Sequence, residues 1–193
     1  LRNRPMAFVD PVRFSNPLRR FARTLVADGE PEVAAPLPLP ESLGGEPWYS
    51  VGRAVAALGG QRVDGWCLQE WPGQALRAVF SACWRDGSGR LWNVLPGSQA
   101  WLFLPDPQRR YEGVPIVERY QALHRDALLE DYLRVCGILA RPVLGEETRL
   151  TLRQTCERLE GWLELGGSGS QPCPCQSGKR YQNCCSQRLR DSL

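Results

Sequence analysis

Residues 65–104 read GWCLQEWPGQALRAVFSACWRDGSGRLWNVLPGSQAWLFL, and this stretch decides the fold class. It is rich in tryptophan and leucine, and turn residues cut it at short intervals. Residues 65–71 predict a first strand, closed by the turn Trp71-Pro72-Gly73-Gln74. Residues 76–84 predict a second, followed by the hairpin signal Asp86-Gly87-Ser88-Gly89. Residues 90–95 give a third strand before Pro96-Gly97, and residues 100–104 a fourth before Pro105-Asp106-Pro107. Short strands joined by tight turns run antiparallel. The expectation is an α+β domain: an antiparallel β-meander with flanking helices.

On the N-terminal side, residues 50–58 carry Val51, Val55 and Leu58 at helical spacing and stop at Gly59-Gly60. Residues 28–47 hold Pro31, Pro36, Pro38, Pro40 and Pro47 with Gly44-Gly45, the composition of a linker or extended arm. A short helix over 17–26 precedes them, with Asn16 as cap, Pro17 at its first position and Leu18, Phe21 and Leu25 on its docking face. On the C-terminal side, residues 116–139 place Tyr120, Leu123, Leu128, Tyr132, Val135 and Leu139 at helical spacing. Residues 146–165 do the same with Leu152, Cys156, Leu159 and Leu163. Residues 166–170, GGSGS, have the composition of a flexible tether. The chain thus divides into a basic arm and Pro-rich linker (1–47), a core (48–165), a Gly/Ser linker (166–170) and a small C-terminal module (171–193).

That module opens QPCPCQSGKRYQNCC over residues 171–185. Cys173 and Cys175 form one close pair, Cys184 and Cys185 another, with a loop between. Thiolates are soft ligands, and a tetrahedral Zn²⁺ takes four of them at about 2.3 Å. Pro174 stiffens the first pair, and Ser177-Gly178 supplies the turn. Disulfides are the competing reading. Adjacent cysteines make a strained bridge, however, and a Cys-Pro-Cys bridge is little better. The spacing favours one zinc ion per chain. A four-thiolate site has no open coordination position, so such an ion is structural and folds a module too small to bury a core of its own. Lys179, Arg180 and Tyr181 on the loop are candidate partner contacts. The alternative is that Tyr181 packs on the metal module and the two basic residues only solvate it.

Residues 172–185, PCPCQSGKRYQNCC, resemble the SEC-C motif, the zinc-binding tail of the SecA translocation ATPase that also closes many otherwise unrelated bacterial proteins. Cys173, Cys175, Cys184 and Cys185 fill all four ligand positions of that pattern. The sequence departs from it at Gln176, where glycine is usual, at an implied cost in turn flexibility. In SecA-type tails the loop surface binds a chaperone or the ribosome, so the resemblance implies a protein or ribonucleoprotein partner. Upstream there is no Gly-rich Walker loop, and the chain is too short for the SecA motor.

Residues 47–106 resemble, less specifically, a group of bacterial SEC-C proteins. The shared elements include Gly59-Gly60, Gly65-Trp66, Glu70-Trp71-Pro72, Asp86-Gly87 and Phe103-Leu104-Pro105-Asp106. A helix followed by antiparallel strands is also the order of papain-like and transglutaminase-like cores, which place a cysteine, a histidine and an aspartate or asparagine in a triad. Here Pro47 takes the nucleophile position, Ser81 the base and Asn93 the aspartate. A thiolate nucleophile needs a base and an orienting group in reach, so no catalytic residue is expected and the core reads as non-catalytic. A hydrolase using non-standard residues is the alternative. Cys67, Cys83, Cys136 and Cys156 read as small buried hydrophobes. His124 is the only histidine and reads as a partly exposed helix residue. Trp66, Trp71, Trp84, Trp92 and Trp101 read mainly as core, with any outward-facing ones forming a binding face.

Charge is uneven: residues 1–25 carry +5 and residues 171–193 carry +3, within a total of +3. Basic ends keep a nucleic-acid or ribosome-binding protein open as a third reading. No apolar run approaches a membrane span of about 20 residues, and the N-terminus lacks a signal-peptide apolar region. Free thiolates fit a reducing compartment. The expected protein is a cytoplasmic interaction protein whose zinc tail contacts a protein or ribonucleoprotein.

Overall fold

The computed structural model describes residues 8–11, 13–39, 46–97 and 99–193. Residues 1–7 of the basic arm and 40–45 of the proline-rich stretch, with Pro5, Pro40 and Gly44-Gly45, lie outside the described residues. The described chain forms two compact units, one of residues 8–71 and 76–119 and one of residues 72–75 and 120–193.

The first unit is a closed barrel of five strands: β1 (Glu32–Pro36), β2 (Gln61–Trp71), β3 (Ala75–Arg85), β4 (Leu91–Asn93) and β5 (Trp101–Pro105). Neighbours run β2-β5-β1-β4-β3, and β3 returns to β2. The succession β2-β3-β4 follows the turns. Asp86 builds the tightest of these. Its Oδ1 accepts the Ser88 and Arg90 N–H groups at 2.8 and 3.1 Å, and its Oδ2 accepts the Trp92 Nε1–H at 2.7 Å. Closure removes the exposed edges that an open sheet of this size would present.

The closing strand is β1, which comes from the stretch whose composition reads as a linker. It pairs antiparallel with β5 (Glu32↔Phe103, Val33↔Leu102, Ala34↔Trp101) and parallel with β4 (Ala35↔Trp92, Pro36↔Asn93). Proline is tolerated there because Pro36 ends the strand, where a missing N–H breaks no central ladder. Ladder bonding resumes at Leu37, whose N–H donates to the Asn93 carbonyl at 2.8 Å. Ala34 is fully buried and packs with Cys83, Leu91 and Phe103. Gly65 lets β2 approach β5, since a Cβ there would collide with the Leu104 carbonyl oxygen.

Two helices flank the barrel strands in sequence. Helix α1 (Asn16–Leu25) is capped by Ser15, one residue before the expected Asn16, and buries Leu18, Phe21 and Ala22. Helix α2 (Pro47–Leu58) buries Val51 and Ala54, while Leu58 is exposed. Of the expected Val51-Val55-Leu58 stripe, Val51 and Val55 face the core, Leu58 does not, and Ala54 joins them. Val51 and Ala54 pack with Ala82, Trp84 and Val94. Of the sheet tryptophans, Trp66 and Trp84 are buried and the other three half-buried, so none forms an exposed aromatic face.

The second unit contains β6 (Arg119–Ala122), α3 (Ala127–Leu139), α4 (Glu146–Glu164), a 3-10 turn (Tyr181–Asn183) and α5 (Cys185–Ser192). The single helix expected over 116–139 is instead a strand and a helix. The break is Asp126, whose Oδ1 accepts the Leu128 and Leu129 N–H groups at 3.0 and 3.2 Å. This N-cap starts the helix there, and Leu123 upstream donates its N–H to the Gln74 carbonyl. Helices α3 and α4 pack on each other, and α3 buries Leu128, Tyr132 and Val135 while α4 buries Leu152 and Leu159.

A buried carboxylate in the barrel unit offers a test of the fold. Asp106 accepts the Trp66 Nε1–H at 3.0 Å and the Gln108 N–H at 3.1 Å, and Trp66 is fully buried. Asp106→Ala leaves that indole N–H without its acceptor and lowers stability by about 1–3 kcal/mol. Urea unfolding followed by tryptophan fluorescence reads the loss, and Trp66→Phe in the same background recovers part of it.

Candidate metal centre

The four tail cysteines are brought together by backbone hydrogen bonds within the loop that separates them in sequence. Pro172 bridges Arg180 in antiparallel register. The Cys173 N–H donates to the Lys179 carbonyl at 2.8 Å, and the Tyr181 N–H to the Gln171 carbonyl at 3.0 Å. The 3-10 turn then carries the chain back, with the Cys184 N–H donating to the Tyr181 carbonyl at 3.0 Å, and α5 begins at Cys185. All four sulfurs lie within 4.8 Å of one another. Cys175 Sγ is 3.3 Å from Cys173 Sγ and 3.5 Å from Cys184 Sγ. Four sulfurs at about 2.3 Å around a tetrahedral ion stand about 3.8 Å apart, so the donor set fits such an ion with small shifts. Cys173 and Cys184 are buried, Cys185 is half-buried and Cys175 is exposed, and none of the cysteines is in a disulfide.

The surroundings favour anionic sulfur at the exposed end. Ser177 Oγ lies 3.1 Å from Cys184 Sγ. Hydrogen bonding with Ser177 and Cys173 holds the Cys175 thiol down at about 6, while burial pushes Cys185 up to about 12. A bound cation stabilises the thiolate form of all four. Gln176, the one departure from the motif, has φ 61°, the only positive value outside glycine among the described residues. Glycine enters this left-handed region without a Cβ clash. The departure thus carries a backbone cost and not merely lost flexibility.

The tail also packs against the helices of its own unit. The Tyr181 hydroxyl donates to Asp131 Oδ2 at 3.1 Å, and Arg190 Nε donates to Asp131 Oδ1 at 3.1 Å. Asp131, on α3, is fully buried. The Tyr181 ring meets Trp162 of α4 edge to face, centroids 5.2 Å apart. Burial and the Asp131 carboxylate push the Tyr181 phenol well above its ordinary range. Residues 166–170 are fastened rather than free. The Gly169 N–H donates to Asp126 Oδ2 at 2.9 Å, so the residue that caps α3 also holds this segment. A Cβ at Gly169 would press on Ala127, and one at Gly167 would collide with the Trp162 ring. These glycines permit close packing, where the composition alone reads as a flexible tether.

The candidate partner contacts therefore separate. Lys179 and Arg180 are exposed, whereas Tyr181 is 2% exposed. Asp131 and Trp162 were not singled out by the sequence. Helical periodicity marks both positions only as helix, and no local signal ties either to a tyrosine far along the chain.

The positions weighed for catalysis have structural surroundings. Pro47 opens α2, Ser81 is buried on β3, and Asn93 donates to the Gln99 carbonyl while accepting from the Leu95 N–H. Cys67 and Cys83 are buried, and burial pushes the Cys83 thiol well up. His124 follows β6 rather than lying in a helix, and bonds Gln74 Oε1 at 2.9 Å. Cys136 and Cys156 face each other across α3 and α4 at 3.4 Å.

Residues 170–187 match the family model of the SEC-C motif. No curated protein and no solved structure matches the chain. Among the described residues, no helix is long and apolar enough to cross a membrane. The motif match and the thiol cluster together suggest a bound metal ion.

Two substitutions probe this site. Gln176→Gly relieves the left-handed backbone and raises the stability of the metal-loaded chain by about 1 kcal/mol, read as a higher urea midpoint. Asp131→Ala leaves both the Tyr181 hydroxyl and Arg190 without their shared acceptor and costs about 1.5–3 kcal/mol. Limited trypsin digestion then cuts at Lys179 and Arg180 faster than in the unaltered chain.

Proposed function

We propose that Cys173, Cys175, Cys184 and Cys185 hold one structural Zn²⁺ per chain, and that the protein is a cytoplasmic interaction protein whose zinc-braced tail binds a protein or ribonucleoprotein partner. The observation that carries this reading is the convergence of four free thiols at tetrahedral spacing inside a matched SEC-C motif. Four sulfur donors suit zinc, and a closed set leaves the ion no position for substrate. Free thiols fit a reducing compartment. Lys179 and Arg180, exposed on the metal loop, supply charge for a partner, and the absent triad residues in the core support a binding role over hydrolysis. The role of the barrel in choosing the partner belongs to the same proposal.

Elemental analysis of protein purified under reducing conditions gives about one zinc per chain. The double variant Cys173→Ser/Cys175→Ser loses the zinc and unfolds at lower urea. A chain that carries no zinc, or the double variant retaining a full equivalent, contradicts the metal reading. Lys179→Glu/Arg180→Glu keeps the zinc and weakens capture of the partner from a ribosome-containing extract.

A further inference from the structure

A cleft of about 690 Å³ opens beside the metal centre, between α4 and the tail. One wall is α4, which contributes Arg158, Leu159 and Trp162. The opposite wall is α5, which contributes Arg188 and Leu189. Pro174 and Tyr181 also belong to the lining. Each helix therefore contributes one arginine and one leucine to the lining. The other side of α5 is spent on packing: Arg190 bonds Asp131 and sits 3.6 Å from Glu130.

The two cleft arginines lack such partners. Arg158 bonds only the Gln154 carbonyl and the Thr155 hydroxyl on its own helix. Neither Arg158 nor Arg188 is paired with a carboxylate among the described residues, both are exposed, and no acidic residue lines the cleft. Apolar lining from Leu159, Trp162 and Leu189, together with two exposed guanidinium groups that have no carboxylate partner, complements an amphipathic segment with apolar anchors and acidic flanks. The volume is within the range of ligand sites, about 300–1,000 Å³. A cleft lined from two helices, with apolar residues and exposed arginines, suits an amphipathic helix laid in a groove and read through anchors at i, i+3, i+4 and i+7.

We propose that this cleft is the docking groove for a short amphipathic helix of a partner protein, with leucine or aromatic anchors and flanking aspartate or glutamate. The groove names the chemistry of the partner for the interaction reading above, and rests on it. Cys175 and Cys185 belong to its lining, so metal loading shapes the groove, and removing the metal removes helix binding.

The test is selection of a displayed library of helical peptides of about 14 residues, four turns, against the full zinc-loaded chain. Zinc content is measured on the same preparation. The expected result is enrichment of sequences with apolar anchors at helical spacing and acidic flanks. A selected peptide then binds Arg158→Glu/Arg188→Glu about tenfold more weakly, and its Glu→Lys counterpart regains affinity for that variant. Chelation abolishes binding, and added salt weakens it. A zinc-loaded chain that enriches nothing, or enriches peptides without acidic residues, overturns the groove and leaves the metal reading intact. Binding of oleate with no peptide enriched assigns the cleft to a small amphiphile and also overturns it. A chain without zinc contradicts the metal reading first, a different failure visible in the same measurement.

Discussion

Asp131 is a carboxylate buried on α3 that accepts from two tail groups at once, the Tyr181 hydroxyl and the Arg190 guanidinium. A buried charge is costly unless it is paired and hydrogen-bonded, and nothing nearer in sequence serves it. The tail is therefore the solution to a cost that α3 creates. Tyr181 stands within the metal loop and Arg190 on α5, so one carboxylate holds both halves of the thiol cluster against the helices. Asp126 repeats the device a turn earlier, capping α3 with one oxygen and holding Gly169 with the other.

This arrangement changes what a metal ion would do. In a tail on a free tether, the ion would fold a small knuckle and nothing else. Here the thiol loop, α5 and the α3–α4 pair share one compact unit. Closing four thiolates around an ion fixes the loop from which Tyr181 reaches Asp131 and Trp162. Metal binding and packing then reinforce each other, and the cleft bounded by α4 and α5 depends on both. Local strain at Gln176 shows how far the loop is over-determined: a residue with a Cβ is kept in a left-handed conformation while its N–H donates to the Cys173 carbonyl.

The thiol cluster was legible in the sequence because its four cysteines and their turn fall within a short segment whose spacing suits metal coordination. The strands β2 to β5 were legible for a similar reason, through local turn chemistry such as the Asp86 hairpin. The closing strand β1 was not. Its five residues alternate too briefly to give a period, and the prolines around them dominate the composition. Its partners, β4 and β5, lie far along the chain. Asp126 was visible as an acidic residue, but its capping role split an apolar periodicity that ran straight through it. The seating of Tyr181 was open as one of two alternatives, since burial of a loop tyrosine is decided by α3 and α4 and not by the loop. Glycines 167 and 169 illustrate the same limit: absence of a side chain serves flexibility and close packing alike, and only the neighbour chooses.

The central claim is that four sulfurs of the tail close on one ion. X-ray absorption at the zinc edge, on the full chain purified under reducing conditions, tests it most directly. A single shell of about four sulfur atoms near 2.3 Å is the predicted result. A first shell containing nitrogen or oxygen at about 2.0–2.1 Å, or fewer than four sulfurs, would contradict it.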